Sequence, residues 1–345
     1  MSARQGPARP DEADWQKSSL CGPTGRVTLA RSQMLNVDAS FPTRVRVREV
    51  GPRDGFQNEP ESIATADKVR LIEMLGAAGF ERLEITSFVR PDVIPQLGDG
   101  AAVLAAIELP DRVSRSVIVP TPKGLDLALD SGLRIDQITV FLSASESHNR
   151  ANVNRSVEES LVGLEQMLPR IREAGRRAGA AISTSFGCPY EGAVDRDRVR
   201  ELSLRLAAAG AEELVYGDTT GMANPLQVRE FFPYLREALG PEVELTAHFH
   251  NTRGQGLANV IGALAAGVES FESSFGELGG CPVPPGATGN IATEDLVSML
   301  HEMGIETGID LAALLAAARE VREVLGRGLT SHTLIAGPID WGQGG

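Results

Sequence analysis

His248 and His250 stand two residues apart in HFHNT, a spacing that turns both imidazoles to one face of an extended strand. There they can grip one metal ion together. Asp54 and Asn290 add oxygen donors, giving two nitrogens and two oxygens with no thiolate. Such a mixed set with open positions suits a hard or borderline ion, Mg²⁺ or Mn²⁺, better than structural zinc. Alone, a His-x-His can be two ordinary strand residues; its place at the end of a predicted strand favours the metal. Arg53 directly precedes Asp54, between Gly51 and Gly55, which let the chain turn sharply. Many Arg-Asp dipeptides are plain surface ion pairs, but a guanidinium fixed at such a turn can hold a developing enolate or carboxylate in a fork.

A second feature is the stretch Phe275–Glu294, FGELGGCPVPPGATGNIATE, with five glycines, three prolines and the lone thiol of Cys281. That density of Gly and Pro excludes a helix or strand interior, so the segment is a shaped loop, and its thiol reads as part of a reactive flap. It closes on Asn290, with Glu294 four residues later. Glu84, followed by Thr86 and Ser87, and Asp218, in GDTTG, also fall at predicted strand ends; each can act as acid or base, or pair with a barrel arginine. Glu49 ends the first predicted strand, and Gln57 lies just past the Arg-Asp turn.

These residues need a scaffold that brings many strand ends together. From Val45 onward, short β-branched runs alternate with helical runs whose apolar residues recur at three and four spacing. The predicted strands are 45–50, 82–86, 116–119, 138–142, 181–186, 213–216, 244–250 and 270–274. Gly79, Gly132, Gly179, Gly210 and Gly267 sit where helices hand over to the next strand. Eight such alternations predict a (β/α)8 TIM barrel, with its active site at the C-terminal ends of the strands. An open doubly wound sheet would bring a glycine-rich phosphate turn after its first strand, a spacing that GPRDGFQN lacks. A further helix, 311–325, is expected outside the barrel, followed by an irregular tail. Residues 1–42, rich in Gly, Pro, Ser and Arg, are expected to be a flexible extension, leaving 43–345 as the catalytic domain.

Composition narrows the partners. A net charge of −13 argues against nucleic acid and anionic membranes, although local arginines leave an anionic substrate open. Three scattered cysteines, Cys21, Cys188 and Cys281, fit a reducing compartment. No apolar run reaches the roughly 18 residues of a membrane span, and the N-terminal stretch lacks a signal-peptide core. Asp11, Glu12 and Asp14 count against a transit peptide, so the expected location is cytoplasmic, with the mitochondrial matrix as the alternative.

Taken together, EVGPRDGFQNEP (49–60), TSFV (86–89), PQLGD (95–99), GCPYEG (187–192), GDTTG (217–221), HFHNT (248–252) and GGCPVPPGATGNIATEDLVSML (279–300) resemble the hydroxymethylglutaryl-CoA lyase family of metal-dependent barrel lyases. The pieces occur in that family's order, over about residues 43–325. The resemblance implies cleavage of a 3-hydroxy-3-carboxymethyl acyl-CoA into acetyl-CoA and a 3-oxo acid. It implies Asp54, His248, His250 and Asn290 as metal ligands, with the substrate's tertiary hydroxyl and distal carboxylate in the open positions. Arg53 would stabilise the enolate oxygen, and Cys281 would close the site and deliver a proton to carbon. Glu84 and Asp218 resemble acid/base or positioning residues, Glu49 and Glu294 supporting ones, and Gln57 a position near the substrate. Spacing leaves both His248 and Asp218 as candidates for the base that removes the hydroxyl proton. Such barrels often form homodimers or higher oligomers.

Asn251 and Arg253 stand where the animal-type lyases carry an acid and then a tyrosine, Glu277 replaces a small residue, and Val283-Pro284 replaces an aromatic followed by alanine. These departures leave the reaction type intact and bear on substrate choice; Arg253, if it faces the cavity, can meet an extra carboxylate or a CoA phosphate. Rival readings are the same chemistry on citramalyl-CoA or a longer-branched glutaryl-CoA, a Claisen-type synthase, and a non-catalytic metal-binding scaffold. The synthases share the barrel, the Arg-Asp pair and His-x-His, but lack the GGCP loop and commonly add a long regulatory region after the barrel.

Overall fold

Eight parallel strands, β1 (Arg46–Glu49), β2 (Arg82–Ser87), β3 (Ser114–Ile118), β4 (Gln137–Ser143), β5 (Arg177–Ser183), β6 (Glu213–Asp218), β7 (Glu244–Phe249) and β8 (Ser270–Ser273), pair in chain order, and β8 returns to β1 to close the barrel. This is a computed structural model that describes residues 41–60, 62–280 and 288–340. Helices α1 (Thr65–Ala77), α2 (Gly100–Ala106), α3 (Pro122–Asp130), α4 (Glu146–Val153), α5 (Val157–Glu173), α6 (Arg196–Ala208), α7 (Pro225–Leu239) and α8 (Gly256–Ala265) fill the connections. The architecture is the (β/α)8 barrel that the alternation predicts. No helix among the described residues is long and apolar enough to cross a membrane. The extension expected over 1–42 lies, but for its last two residues, outside the described ones.

Local chemistry starts the helices. Ser156 and Glu159 form a reciprocal capping box ahead of α5, and Asn224, followed by Pro225, accepts the Gln227 N–H at 3.0 Å to open α7. The helices lay apolar stripes such as Leu161, Leu164, Leu168 and Ile171 of α5 against the barrel wall. Each fully buried Leu, Ile, Val or Phe contributes about 1.5–3 kcal/mol over leaving it exposed.

The fifth strand departs most from expectation, beginning at Arg177 rather than at residue 181. Its Ala-Gly-Ala-Ala run has weak strand propensity, so the sequence pattern assigns it to the preceding turn. Gly179 is therefore not a helix stop; Gly175, at φ +71°, ends α5 instead. Gly179 lies inside β5, where a Cβ would fall 2.7 Å from Thr139 Oγ1. Gly79, Gly132, Gly210 and Gly267 do take the positive φ expected of stops.

After β8 come α9 (Thr293–Glu302) and α10 (Leu311–Leu325), the latter with the predicted bounds. The tail expected to be irregular contains a short helix, α11 (His332–Ala336). Asp295 holds its start, accepting the N–H groups of His332 at 3.0 Å and Thr333 at 2.6 Å, a tie between distant residues that local patterning does not reveal.

Candidate active site

After β1 the chain does not simply turn. Residues Gly51–Gly55 coil into one π-helical turn, with the N–H groups of Arg53, Asp54 and Gly55 all directed to the Val50 carbonyl at 3.0, 2.7 and 3.4 Å. This presents Arg53 and Asp54 at the C-terminal mouth of the barrel. Gly51 is required by crowding, since a Cβ there would lie 2.7 Å from Glu49 Oε1 and 2.8 Å from the Phe275 ring. Glu49 is fully buried beneath the turn, accepting from the Gly51 and Phe275 N–H groups (2.7 and 3.0 Å) and from Thr293 Oγ1 (2.6 Å). Burial pushes its carboxyl up to about 8 against those hydrogen bonds. Glu294 receives the Gly276 N–H at 3.0 Å and is pushed by burial to about 7. The two carboxyls knit the β1 turn to β8 and the start of α9, behind the cavity wall.

The other ligand candidates converge on this turn. His248 Nε2 and His250 Nε2 lie 3.0 Å apart, and donor atoms of Asp54, His248 and His250 all lie within 4.8 Å of one another. Asn290 bridges back to His250, and its Nδ2 donates to Asp54 Oδ2 at 2.7 Å and to the Leu278 carbonyl at 3.0 Å. Its Oδ1 is buried with no partner, an acceptor left over for a cation. Two nitrogens held at about 2.1 Å from one ion at right angles sit about 3.0 Å apart, so the histidine spacing is compatible with a hard divalent ion. Gly279, at φ +93°, backs the cluster: a Cβ would come within 2.5 Å of Asn290 Nδ2 and 3.1 Å of Asp54 Oδ2. Protonation states agree with ligation. Although burial opposes its charge, Arg53 above all holds Asp54 below the usual carboxylate range. Burial, with His248 close by, drops His250 to about 3, leaving a neutral donor.

Arg53 lies between two carboxylates, with Nη1 on Asp54 Oδ1 at 2.6 Å and Nε on Glu84 Oε1 at 2.5 Å. It lines a cavity of about 850 Å³ that also takes in Asp54, Gln57, Glu84, His248 and His250. Burial raises Glu84 against the pull of Arg53. Asp218 ends β6 between Gly217 and Thr219, which line the cavity, but does not itself line it. Its Oδ1 accepts the Met222 and Ala223 N–H groups (2.7 and 3.0 Å), its Oδ2 is buried without a partner, and burial pushes the carboxyl up to about 7.

One expectation meets a different outcome. Arg253 does not line this cavity; its Nη1 donates to the carbonyls of Thr220 and Gly221 at 2.7 and 3.0 Å, and so ties the β6 and β7 loops. Cys281, with Val283 and Pro284, lies outside the described residues. Asn251 and Glu277, two of the departures from the animal-type pattern, hydrogen-bond each other at 2.8 Å, and Glu277 holds a left-handed φ of +64°. Two cavity residues escape sequence reasoning. Glu272 accepts from His248 Nδ1 at 2.9 Å, and buried His148 on the far wall meets Ser143 Oγ at 2.6 Å. In β8 the alternation of SFES marks Glu272 as inward-facing, the one available signal.

The HMGL-like family model matches residues 44–321. A hydroxymethylglutaryl-CoA lyase of Bacillus subtilis is 46% identical over 294 residues, 85% of this chain and 97% of that protein. An (R)-citramalyl-CoA lyase of Chloroflexus aurantiacus is 41% identical, over 86% of this chain and 95% of its own. The solved structure of an HMG-CoA lyase from Acinetobacter baumannii, in complex with coenzyme A and 3-methylmalate, superposes with a TM-score of 0.81 at 39% identity, covering 86% of this chain and 95% of that one.

Proposed function

The chain belongs to the HMGL-like family, and from that premise we propose that it is a divalent-metal-dependent carbon–carbon lyase that cleaves 3-hydroxy-3-methylglutaryl-CoA to acetyl-CoA and acetoacetate. The observation that carries the reading is the convergence of Asp54, His248, His250 and the unpartnered Asn290 Oδ1 beside a guanidinium at the barrel mouth. These four donors would hold Mg²⁺ or Mn²⁺, which would supply Lewis acidity to lower the pKa of a tertiary hydroxyl.

The remaining work falls to side chains. Of the two base candidates, His248 has Nδ1 engaged by Glu272 and Nε2 turned to the ligand cluster, whereas Asp218 keeps one oxygen free. Asp218 therefore takes the hydroxyl proton, and a carboxyl near 7 is matched to that task at neutral pH. The O–H electrons become the new carbonyl, the C2–C3 bond breaks, and its pair passes into the enolate of acetyl-CoA. Arg53, held on two sides by Asp54 and Glu84, faces that developing oxyanion from a fixed position, and so lowers the barrier without reorganising. Glu84 orients Arg53. Following the family resemblance, Cys281 returns a proton to the enolate carbon, which balances the reaction.

The test is release of acetyl-CoA and acetoacetate from the CoA thioester with Mg²⁺, with and without EDTA. Rapid, EDTA-sensitive release that disappears in His248→Ala supports the reading. No release from folded, metal-loaded protein refutes the substrate, and cleavage of citramalyl-CoA in its place transfers the same chemistry to that thioester.

A further inference from the structure

We infer that Glu272, locked onto Arg48, is a positioning residue for the metal centre: it fixes the His248 ring with its Nε2 lone pair turned to the ion and so sets the affinity of the site. The inference rests on the reading above only in taking a divalent ion as the occupant.

The strand register places the parts. Arg48 is the Cα partner of Glu272 across β1 and β8, and Glu272 is the partner of His248 across β8 and β7. Partners in neighbouring parallel strands project to the same face, so the three side chains form one row inside the barrel. Glu272 Oε1 accepts from Arg48 Nη1 at 2.6 Å, and Oε2 lies 2.9 Å from His248 Nδ1. A carboxylate can only accept, so in the neutral ring Nδ1 must carry the proton and Nε2 is left with the lone pair a metal requires. Glu272 cannot swing away. It is 4% exposed, and Arg48, 1% exposed, is itself fastened by Glu213 Oε2 at 2.5 Å. Glu213 in turn receives Arg82 Nη2 at 3.1 Å and Thr246 Oγ1 at 2.6 Å, which ties the row to the barrel floor.

His250 provides the contrast. Its Nδ1 is buried with no partner, so no carboxylate presets its tautomer. When His248 is neutral and its Nε2 accepts, the 3.0 Å contact between the rings makes His250 Nε2 the donor in the metal-free protein. Loading an ion then requires His250 to move its proton to Nδ1 and requires nothing of His248. The two ligands are unequal, and Glu272 acts on the one that is preset.

The test compares full-length wild type, Glu272→Gln and Glu272→Met. Mn²⁺ affinity is read by electron paramagnetic resonance of the free ion and by calorimetry. Glu272→Met is expected to bind about 10–100-fold more weakly, with Glu272→Gln between, because its carboxamide oxygen still accepts. The second readout does not involve metal. With only five histidines in the chain, ¹⁵N-histidine spectra of metal-free protein at alkaline pH, assigned with His248→Gln, report each tautomer. Wild-type His248 is expected as the Nδ1–H form, and Glu272→Met should lose that preference. Unchanged Mn²⁺ affinity with a lowered melting temperature makes Glu272 merely structural and overturns the inference, as does an Nε2–H tautomer in the wild type. If Glu272→Met does not fold, Glu272→Gln and the wild-type spectrum still decide. A wild type that binds no Mn²⁺ defeats the metal reading itself, an outcome separate from a variant that binds as well as wild type.

Discussion

Asp218→Asn is expected to cripple turnover while stabilising the fold at neutral and alkaline pH. The carboxyl is 1% exposed; Oδ1 takes two backbone N–H bonds and Oδ2 has no partner. Burial raises it from 3.8 to about 7. In the unfolded chain the proton leaves near 3.8, so between about pH 4 and 7 the folded state binds more protons and stability falls as pH rises. Below that window both states hold the proton and the penalty vanishes. A gap of about 3 pKa units corresponds to about 4 kcal/mol above pH 7, and to about 1–2 kcal/mol at pH 5. Asparagine keeps the Oδ1 contacts and cannot ionise. Its gain over wild type should therefore grow from about 1–2 kcal/mol at pH 5 to about 2–4 kcal/mol at pH 8, allowing for relaxation around the buried charge. Loss of a positioned base should cost about 10²–10⁴-fold in kcat. Urea unfolding of metal-free protein at the two pH values, with turnover at pH 8, measures both. A stability difference independent of pH, or near-wild-type turnover, would refute the assignment.

Three further outcomes follow from the geometry. Arg53→Lys cannot bridge Asp54 and Glu84 in the same fork, and kcat should fall about 10²–10³-fold in steady-state assays, with a smaller change in Mn²⁺ affinity. Gly51→Ala drives a methyl into Glu49 and the Phe275 ring, and denaturant titration should show about 1–3 kcal/mol of destabilisation. Asn290→Ala removes both an unpartnered oxygen donor and the tie to Asp54; calorimetry should show weakened Mn²⁺ binding, and undiminished binding would exclude Asn290 as a ligand.

Much of this molecule can be read before any coordinates. The period of apolar residues and the glycine stops define eight strand–helix units because side-chain direction repeats locally, every two residues in a strand and near 3.6 in a helix. His-x-His, Arg-Asp and the glycine-rich loop likewise announce chemistry because each is contiguous, and the Leu311–Leu325 helix keeps its predicted bounds for the same reason. Where local signals are weak the reading slips, as at Ala178–Ala181, whose small residues are held as strand by pairing with β4 and β6 on either side.

Tertiary structure decides what depends on partners far away in the chain. Glu272 reads as one more charge in a short strand until barrel closure sets it between Arg48, 224 residues earlier, and His248. Arg253 reads as a substrate contact until the β6 loop offers it two carbonyls instead. Asp218 acquires its raised carboxyl from the burial around it, which no motif encodes. Residue types and local spacing name the atoms able to react. Register, burial and the pairing of charges across the barrel, set by the whole chain at once, determine which way each atom faces and whether it holds its proton.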